Sequence, residues 1–285
     1  MEWIKKNNEE ILVCNQVALE DGTTVPLLSY PLLTETGIVK HCFTTRMGGV
    51  SKGIFSSMNL SFTRGDEKED VMENYKRLAE ALGVSLENFV FTDQTHTTNV
   101  LKVTEEDAGK GILRERDYQD VDGLITNVKG LVLSTFFADC VPLYFVDPVH
   151  EAIGMSHSGW RGTVRRMGKA TIEAMEQAFG TKPSDLICAI GPSICQDCYE
   201  VSEDVAEEFK SAFPGYEREI LLEKGNGKYQ LDLWKANEIV LEEAGVEKEH
   251  IAVTNLCTCC NPKLLFSHRA SHGKRGNLAA FLMLK

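Results

Sequence analysis

Paired imidazoles are missing from this sequence. Only seven histidines occur in 285 residues, and none forms a His-x-His pair. That is too few for a multicopper oxidase, whose several copper ions draw on many imidazoles. There is no Walker A motif and no G-x-G-x-x-G after an apolar run, which removes support for a nucleotide-cofactor fold. The His-x-Glu plus Pro-Cys-x-x-Cys signature of cytidine-type zinc deaminases is also missing. Positive charge is in short supply: 30 Lys and Arg face 42 Asp and Glu, a net charge of −12. This argues against nonspecific binding to nucleic acid or an anionic membrane. The opening MEWIKKNNEE has no apolar core of a signal peptide. The most apolar window, 130–146, contains Asp139 and is short for a membrane span. A soluble cytoplasmic protein is expected. No repeat, low-complexity run or linker interrupts the chain, and 43% of its residues are hydrophobic. Residues 1–285 are therefore expected to form a single domain, with 1–35 as a hairpin-like lead-in turning at Glu20-Asp21-Gly22-Thr23.

Cysteine, by contrast, is plentiful. Nine is an odd number, and without an export signal a disulfide framework is not expected. Free thiols, core residues or metal ligands are the remaining roles. The stretch Phe136 to Gly162, FFADCVPLYFVDPVHEAIGMSHSGWRG, organises the rest. Two apolar runs, 141–146 and 152–155, flank the turn signal Asp147-Pro148. Read as a hairpin, they bring Cys140 before the first run to His157 after the second.

Strands are expected at 38–45, 89–92, 99–103, 122–126, 131–135, 186–190, 251–254, 264–267 and 278–284. Helices are expected at 67–82, where Val71, Tyr75, Leu78 and Leu82 share a face and Gly83 stops the run, and at 162–179, 202–213 and 232–244. Residues 104–119 read as an exposed loop or short helix. Helices and strands intermix, and 141–146 reads as buried on both sides, so the fold class is α/β: a single-domain sandwich with a large mixed β-sheet covered by helices.

Three constellations could carry chemistry. His96, Cys140 and His157 all stand at expected strand ends, and a thiolate with two imidazoles is a suitable set for catalytic zinc with an open fourth position. Their gaps of 44 and 17 residues match no zinc-finger spacing. One buried cysteine and two hydrogen-bonded histidines is the plain alternative. A Cys140 nucleophile with His157 as base, in a hydrolase or amidase, is another. Two C-x-x-C pairs, Cys195/Cys198 and Cys257/Cys260, have the spacing of a four-cysteine structural zinc site, or of redox-sensitive thiols. His157-Ser158-Gly159-Trp160-Arg161-Gly162 is a loop entering a helix, where an anion could meet backbone N–H groups and Arg161. Arg46 beside Gly48-Gly49, and Arg269, are further candidate anion donors. Asp139 and Asp122 are candidate acid/base groups or hydrogen-bond acceptors.

In order along the chain, these motifs resemble the bacterial YfiH/YlmD group, labelled laccase-domain or polyphenol oxidase and also purine nucleoside phosphorylase. Phe43-Thr-Thr-Arg46-Met-Gly-Gly-Val-Ser51 matches its T-R-x-G-G-V-S, and Ser57-Met58-Asn59-Leu60 its S-x-N-L. Gln94-Thr95-His96 matches Q-x-H, Ala138-Asp139-Cys140 matches A-D-C, and His157 to Gly162 matches H-x-G-W-R-G. Ile190-Gly191-Pro192, Tyr199-Glu200-Val201, Cys257-Thr258 and Phe266-Ser267-His268-Arg269 complete the series. The resemblance implies zinc on His96, Cys140 and His157, with copper as the alternative metal and a copper-dependent polyphenol oxidase as the alternative activity. It implies phosphorolysis of adenosine, guanosine, inosine and methylthioadenosine, and deamination of adenosine. Purine nucleosides and phosphate are the implied partners. Cys140, Asp139 and Arg161 are the expected catalytic residues. Arg46, Asn59 and Arg269 are the expected substrate or phosphate contacts. Thr97 stands where the group usually has Gly. Ala270-Ser271 replaces an Arg-Asp pair, and Cys195, Cys259 and Cys260 lie outside the pattern.

Overall fold

The computed structural model describes residues 2–285. Strands β1 (Val13–Ala18), β2 (Thr24–Ser29) and β3 (Val39–Thr44) come first, with helix α1 (Pro31–Glu35) before the third. Helix α2 (Lys68–Leu82) leads to β4 (Phe89–Phe91), β5 (Val100–Lys102), β6 (Gly123–Thr126), β7 (Val132–Phe137), β8 (Val141–Asp147) and β9 (Ala152–Ser158). Helices α3 (Trp160–Val164) and α4 (Met167–Phe179) precede β10 (Ile187–Ile190). After these come β11 (Glu200–Ser202), α5 (Glu203–Ala212), α6 (Glu217–Ile220), β12 (Leu221–Gly225), β13 (Lys228–Leu231), α7 (Leu233–Glu243), β14 (Ile251–Val253) and β15 (Leu278–Leu284).

The fold is mixed α/β, and its strands divide between two six-stranded sheets, β1-β2-β3-β15-β7-β4 and β14-β10-β8-β9-β6-β5. A three-stranded sheet, β11-β13-β12, stands apart. Each large sheet is mixed: β4 runs parallel to β7, and β10 to β14, among antiparallel neighbours. Strand β8 shows why its sequence is continuously apolar. All its residues are buried. Val141, Leu143 and Phe145 face helices α4 and α7, while Tyr144 and Val146 face the other sheet. Alternation is hidden because both faces are covered. The outer face of the first sheet is closed by α2, whose Val71, Tyr75 and Leu78 pack on Phe89, Val132 and Phe281. Gly83 ends α2 at φ +64, donating to Ala79 and Glu80 carbonyls. Asp232 caps α7 by accepting from the Lys235 N–H.

Two expected elements differ. The helix expected over 162–179 is broken into α3 and α4 at Arg166, which takes φ +62. The break aims its guanidinium at Glu243 Oε2 and the Ala212 carbonyl, each 2.6 Å away, across the Phe213 ring. Residues 264–267 are a turn and not a strand. Leu264 and Leu265 both donate to the Asn261 carbonyl, so the apolar residues Leu265 and Phe266 are buried without a partner strand. Among the described residues no helix is long and apolar enough to cross a membrane.

Candidate metal centre and the cavities beside it

The register of the central hairpin builds the site. Val141 pairs with Ser158 and Pro142 with His157. Cys140, one residue before β8, thus lies beside the end of β9. Asp122, just ahead of β6, accepts from His157 Nδ1 at 2.8 Å. Its carboxylate also accepts from the backbone N–H groups of Thr95, His96 and Thr97 and from the Thr97 hydroxyl. One buried carboxylate therefore folds the 95–97 turn and orients an imidazole. His96 takes φ +67 in this turn, a left-handed conformation uncommon for a side-chain-bearing residue. Its ring meets that of His157 edge-on, 5.0 Å between centroids. The ligand atoms of His96, Cys140 and His157 all lie within 4.8 Å of one another. Gly159 allows this approach: a Cβ there would stand 2.9 Å from His96 Cδ2 and 3.2 Å from Cys140 Sγ.

The charges are coupled. Burial raises the Cys140 thiol, but the charge and hydrogen bonds of His157 and His96 outweigh it and bring it down to about 6. Burial lowers His157, yet the Cys140 thiolate and Asp122 raise it to about 9. Burial likewise raises Asp122, and the His157 and backbone bonds overcome it, so that carboxyl is held below its ordinary value. A thiolate and two imidazoles, one with its Nδ1 tautomer fixed by a carboxylate, match the donor chemistry of a three-ligand zinc site and its supporting shell.

Two cavities meet at this centre. One, about 400 Å³, is lined by Arg64, Gln94, Phe136, His157 and Arg275 among others, and the second, about 410 Å³, by Asp139, Trp160, Tyr199, His268 and Arg269. His96, Cys140 and Arg275 border both. Asp139, at φ +87, has both carboxylate oxygens engaged, by Thr258 Oγ1 at 2.6 Å and the Arg269 N–H at 2.7 Å. The Arg269 guanidinium donates to the Cys198 and Glu200 carbonyls over the Tyr199 ring. Arg161 is exposed, its guanidinium 4.3 Å over the Trp160 ring.

Arg46 and Asn59 are placed elsewhere. Arg46 lines neither cavity; it donates to the Ser56 and Pro262 carbonyls and lies on the Phe266 ring. Asn59 is fully buried, donating to Asp66 and Ser61 and accepting from Ser61 and Asn277. Both tie loops together, Asn59 through both its side-chain polar atoms and Arg46 through Nε and Nη1. Arg64 and Arg275 were not singled out from the sequence, since each reaches the cavity from a loop without periodicity. Arg275 hydrogen-bonds Asn277, while its buried Nε has no partner among the described residues.

Comparison with known proteins gives the family. A family model described as "Multi-copper polyphenol oxidoreductase laccase" matches residues 40–285. The purine nucleoside phosphorylase YlmD of Bacillus subtilis is 39% identical over 247 residues, 85% of this chain and 87% of that protein. A protein of an unknown prokaryotic organism, adenosine deaminase RL5, is 37% identical over 231 residues, 80% of this chain and 88% of its own length. The crystal structure of YlmD from Geobacillus stearothermophilus superposes with a TM-score of 0.85 at 35% identity, covering 95% of this chain and 100% of that one. A match over most of the chain, joined to relatives well above 30% identity, leaves one conclusion: the chain belongs to the laccase-labelled polyphenol oxidoreductase family that includes the YlmD and YfiH proteins, whose named relatives are enzymes.

Proposed function

We propose that the chain is a single-domain, cytoplasmic, zinc-dependent purine nucleoside phosphorylase that acts on adenosine, guanosine, inosine and methylthioadenosine and also deaminates adenosine. The observation that carries this reading is the convergence of His96, Cys140 and His157 where two cavities join. The relatives named purine nucleoside phosphorylase and adenosine deaminase support it. Zinc, held by these three residues, would supply Lewis acidity to the reaction. Asp122 keeps His157 oriented and the 95–97 turn closed. In phosphorolysis an oxygen of phosphate bonds to the anomeric carbon as the bond from that carbon to the purine nitrogen breaks. Phosphate must then be held by cations beside an electron-poor sugar. Arg275 and Arg64 suit that role, with Arg269 at the other cavity and Arg161 exposed beside Trp160, outside both. The faces of Trp160 and Tyr199 suit a purine ring. Asp139, held by Thr258 and Arg269, is the group we assign to pass the proton that the departing purine takes up.

The test is Cys140→Ala. It is expected to lose zinc from this centre together with phosphorolysis and deamination, at unchanged fold by circular dichroism. Retention of either reaction sinks the shared site. The Cys140–His157–Asp122 line also has the order of a thiol nucleophile, base and orienting carboxylate. Under that second reading the metal-free protein hydrolyses an amide or ester and iodoacetamide abolishes it. Under the proposed reading zinc protects Cys140 from the reagent. A polyphenol oxidase would instead need copper, and activity on phenols only in copper-loaded protein would favour it.

A further inference from the structure

The two C-x-x-C pairs lie far apart in sequence, yet the fold brings them into one cluster. Strands β10 and β14 are parallel neighbours. The loops that leave their ends stay together, with Ser193 bridging to Cys257. The sulfurs of Cys195, Cys198, Cys257 and Cys260 all come within 4.8 Å of one another. Cys198 Sγ is 3.5 Å and Cys195 Sγ 4.0 Å from Cys260 Sγ. A tetrahedron with Zn–S of about 2.3 Å has edges of about 3.8 Å. All nine cysteines are free thiols, so no disulfide accounts for the cluster. Cys257 Sγ accepts from two backbone N–H groups, Cys195 at 3.2 Å and Cys260 at 3.4 Å. The Lys6 charge faces Cys195 and is anchored by Asp197 at 2.8 Å, a cation placed to offset surplus negative charge. Cys195 and Cys257 are buried and Cys198 and Cys260 half-buried.

We infer that Cys195, Cys198, Cys257 and Cys260 form a second, closed zinc site, structural in role and separate from the His96–Cys140–His157 centre. Binding displaces the thiol protons and leaves four Zn–S bonds, with no change of oxidation state. The site cross-links the loop after β10 to the loop after β14. Those loops carry Ile194, whose N–H holds the Asp139 carbonyl, and Thr258, whose hydroxyl holds the Asp139 carboxylate. The four-thiolate site thereby positions the residue next to Cys140. It does not touch either cavity's reacting centre.

Metal content of the whole chain, purified without chelator, tests this beside three variants. The parent is expected to hold about two zinc per chain. Cys140→Ala and Cys198→Ser are each expected to hold about one, and Cys259→Ser, just outside the cluster, about two. X-ray absorption at zinc in the Cys140→Ala protein, in which the four cysteines are intact, is expected to show sulfur neighbours alone at about 2.3 Å. That second measurement stands even if Cys198→Ser fails to fold. A Cys140→Ala protein without metal, its four cluster thiols reacting freely with a thiol reagent, overturns the inference and leaves the proposed function intact. Zinc that survives Cys140→Ala in full but leaves with Cys198→Ser supports the inference and sinks the proposed centre. Iron in the cluster overturns the assignment to zinc.

Discussion

Asp122 is the residue on which the centre depends most. It is fully buried and accepts from His157, three backbone N–H groups and a hydroxyl. Asn at this position keeps the size but replaces one acceptor oxygen with an NH₂ donor. That donor would face either the His157 ring N–H or the backbone N–H groups of the 95–97 turn. Supporting-shell substitutions of this kind typically cost roughly 10–100-fold in metal affinity or activity. Asp122→Asn is accordingly expected to weaken zinc binding at the His96–Cys140–His157 centre by about that factor, measured by competition with a chromogenic chelator. Unchanged affinity would mean that His157 needs no orienting partner. Arg275 raises a different question. Burial and the nearby Arg64 charge lower it to about 10, and its buried Nε has no partner among the described residues. A buried cation in this state is poised for an anion. Charge-assisted hydrogen bonds contribute about 1.5–3 kcal/mol. Arg275→Met is therefore expected to raise the KM for phosphate by roughly 10–100-fold. The Tm should stay near that of the parent. A lower Tm with KM unchanged would make Arg275 a structural residue only.

At the scale of elements, what the sequence reveals depends on whether neighbours or distant partners decide the conformation. Strand β8 and its return β9 were legible because a buried apolar run, a turn at Asp147-Pro148 and a second apolar run are local signals. From them the meeting of Cys140 and His157 followed, and the register delivers it. Asp147 fixes the turn, accepting from the Val149 and His150 N–H groups and pairing with the His150 ring. Helices α2 and α7 were legible from their periodicity and from Gly83 and Asp232. The interruption between α3 and α4 was not, since its cause is Glu243, Ala212 and Phe213, all far along the chain. Residues 264–267 misled for the converse reason: an apolar run implies burial, and burial does not require a ladder. The β12–β13 hairpin had a signal that went unread, Lys224-Gly225-Asn226-Gly227, where three successive residues take positive φ. Arg64 and Arg275 gave none. Loop cations acquire their role only when tertiary packing points them into a cavity.

At the scale of the whole molecule, the two sheets are joined by polar ties as well as by apolar packing. The Tyr30 hydroxyl donates to the Ile190 carbonyl, and the Tyr144 hydroxyl to the Cys42 carbonyl, so each bond spans the sandwich. His41, on β3, packs against both tyrosine rings and accepts the Tyr30 N–H at 2.8 Å. Burial, with the Lys285 charge adding to it, lowers His41 from 6.5 to about 4. The folded state thus holds His41 neutral where the unfolded chain would protonate it. The resulting stabilisation is full above pH 6.5 and is lost as pH falls from 6.5 towards 4. A shift of this size corresponds to at most about 3 kcal/mol. The ordinary carboxylates do not share this window. Asp122 and Asp147 are held below the normal 3.8, so their contribution fades only at lower pH. Urea unfolding at pH 7 and pH 4.5 separates the two. The parent is expected to lose much of that stability over the interval. His41→Gln, which keeps an acceptor for the Tyr30 N–H, is expected to be less stable at pH 7 and to lose less stability than the parent between the two pH values, the remaining slope coming from Cys140, whose thiol also titrates in this interval. An equal slope in parent and variant would move the acid sensitivity away from the sheet interface and onto surface carboxylates.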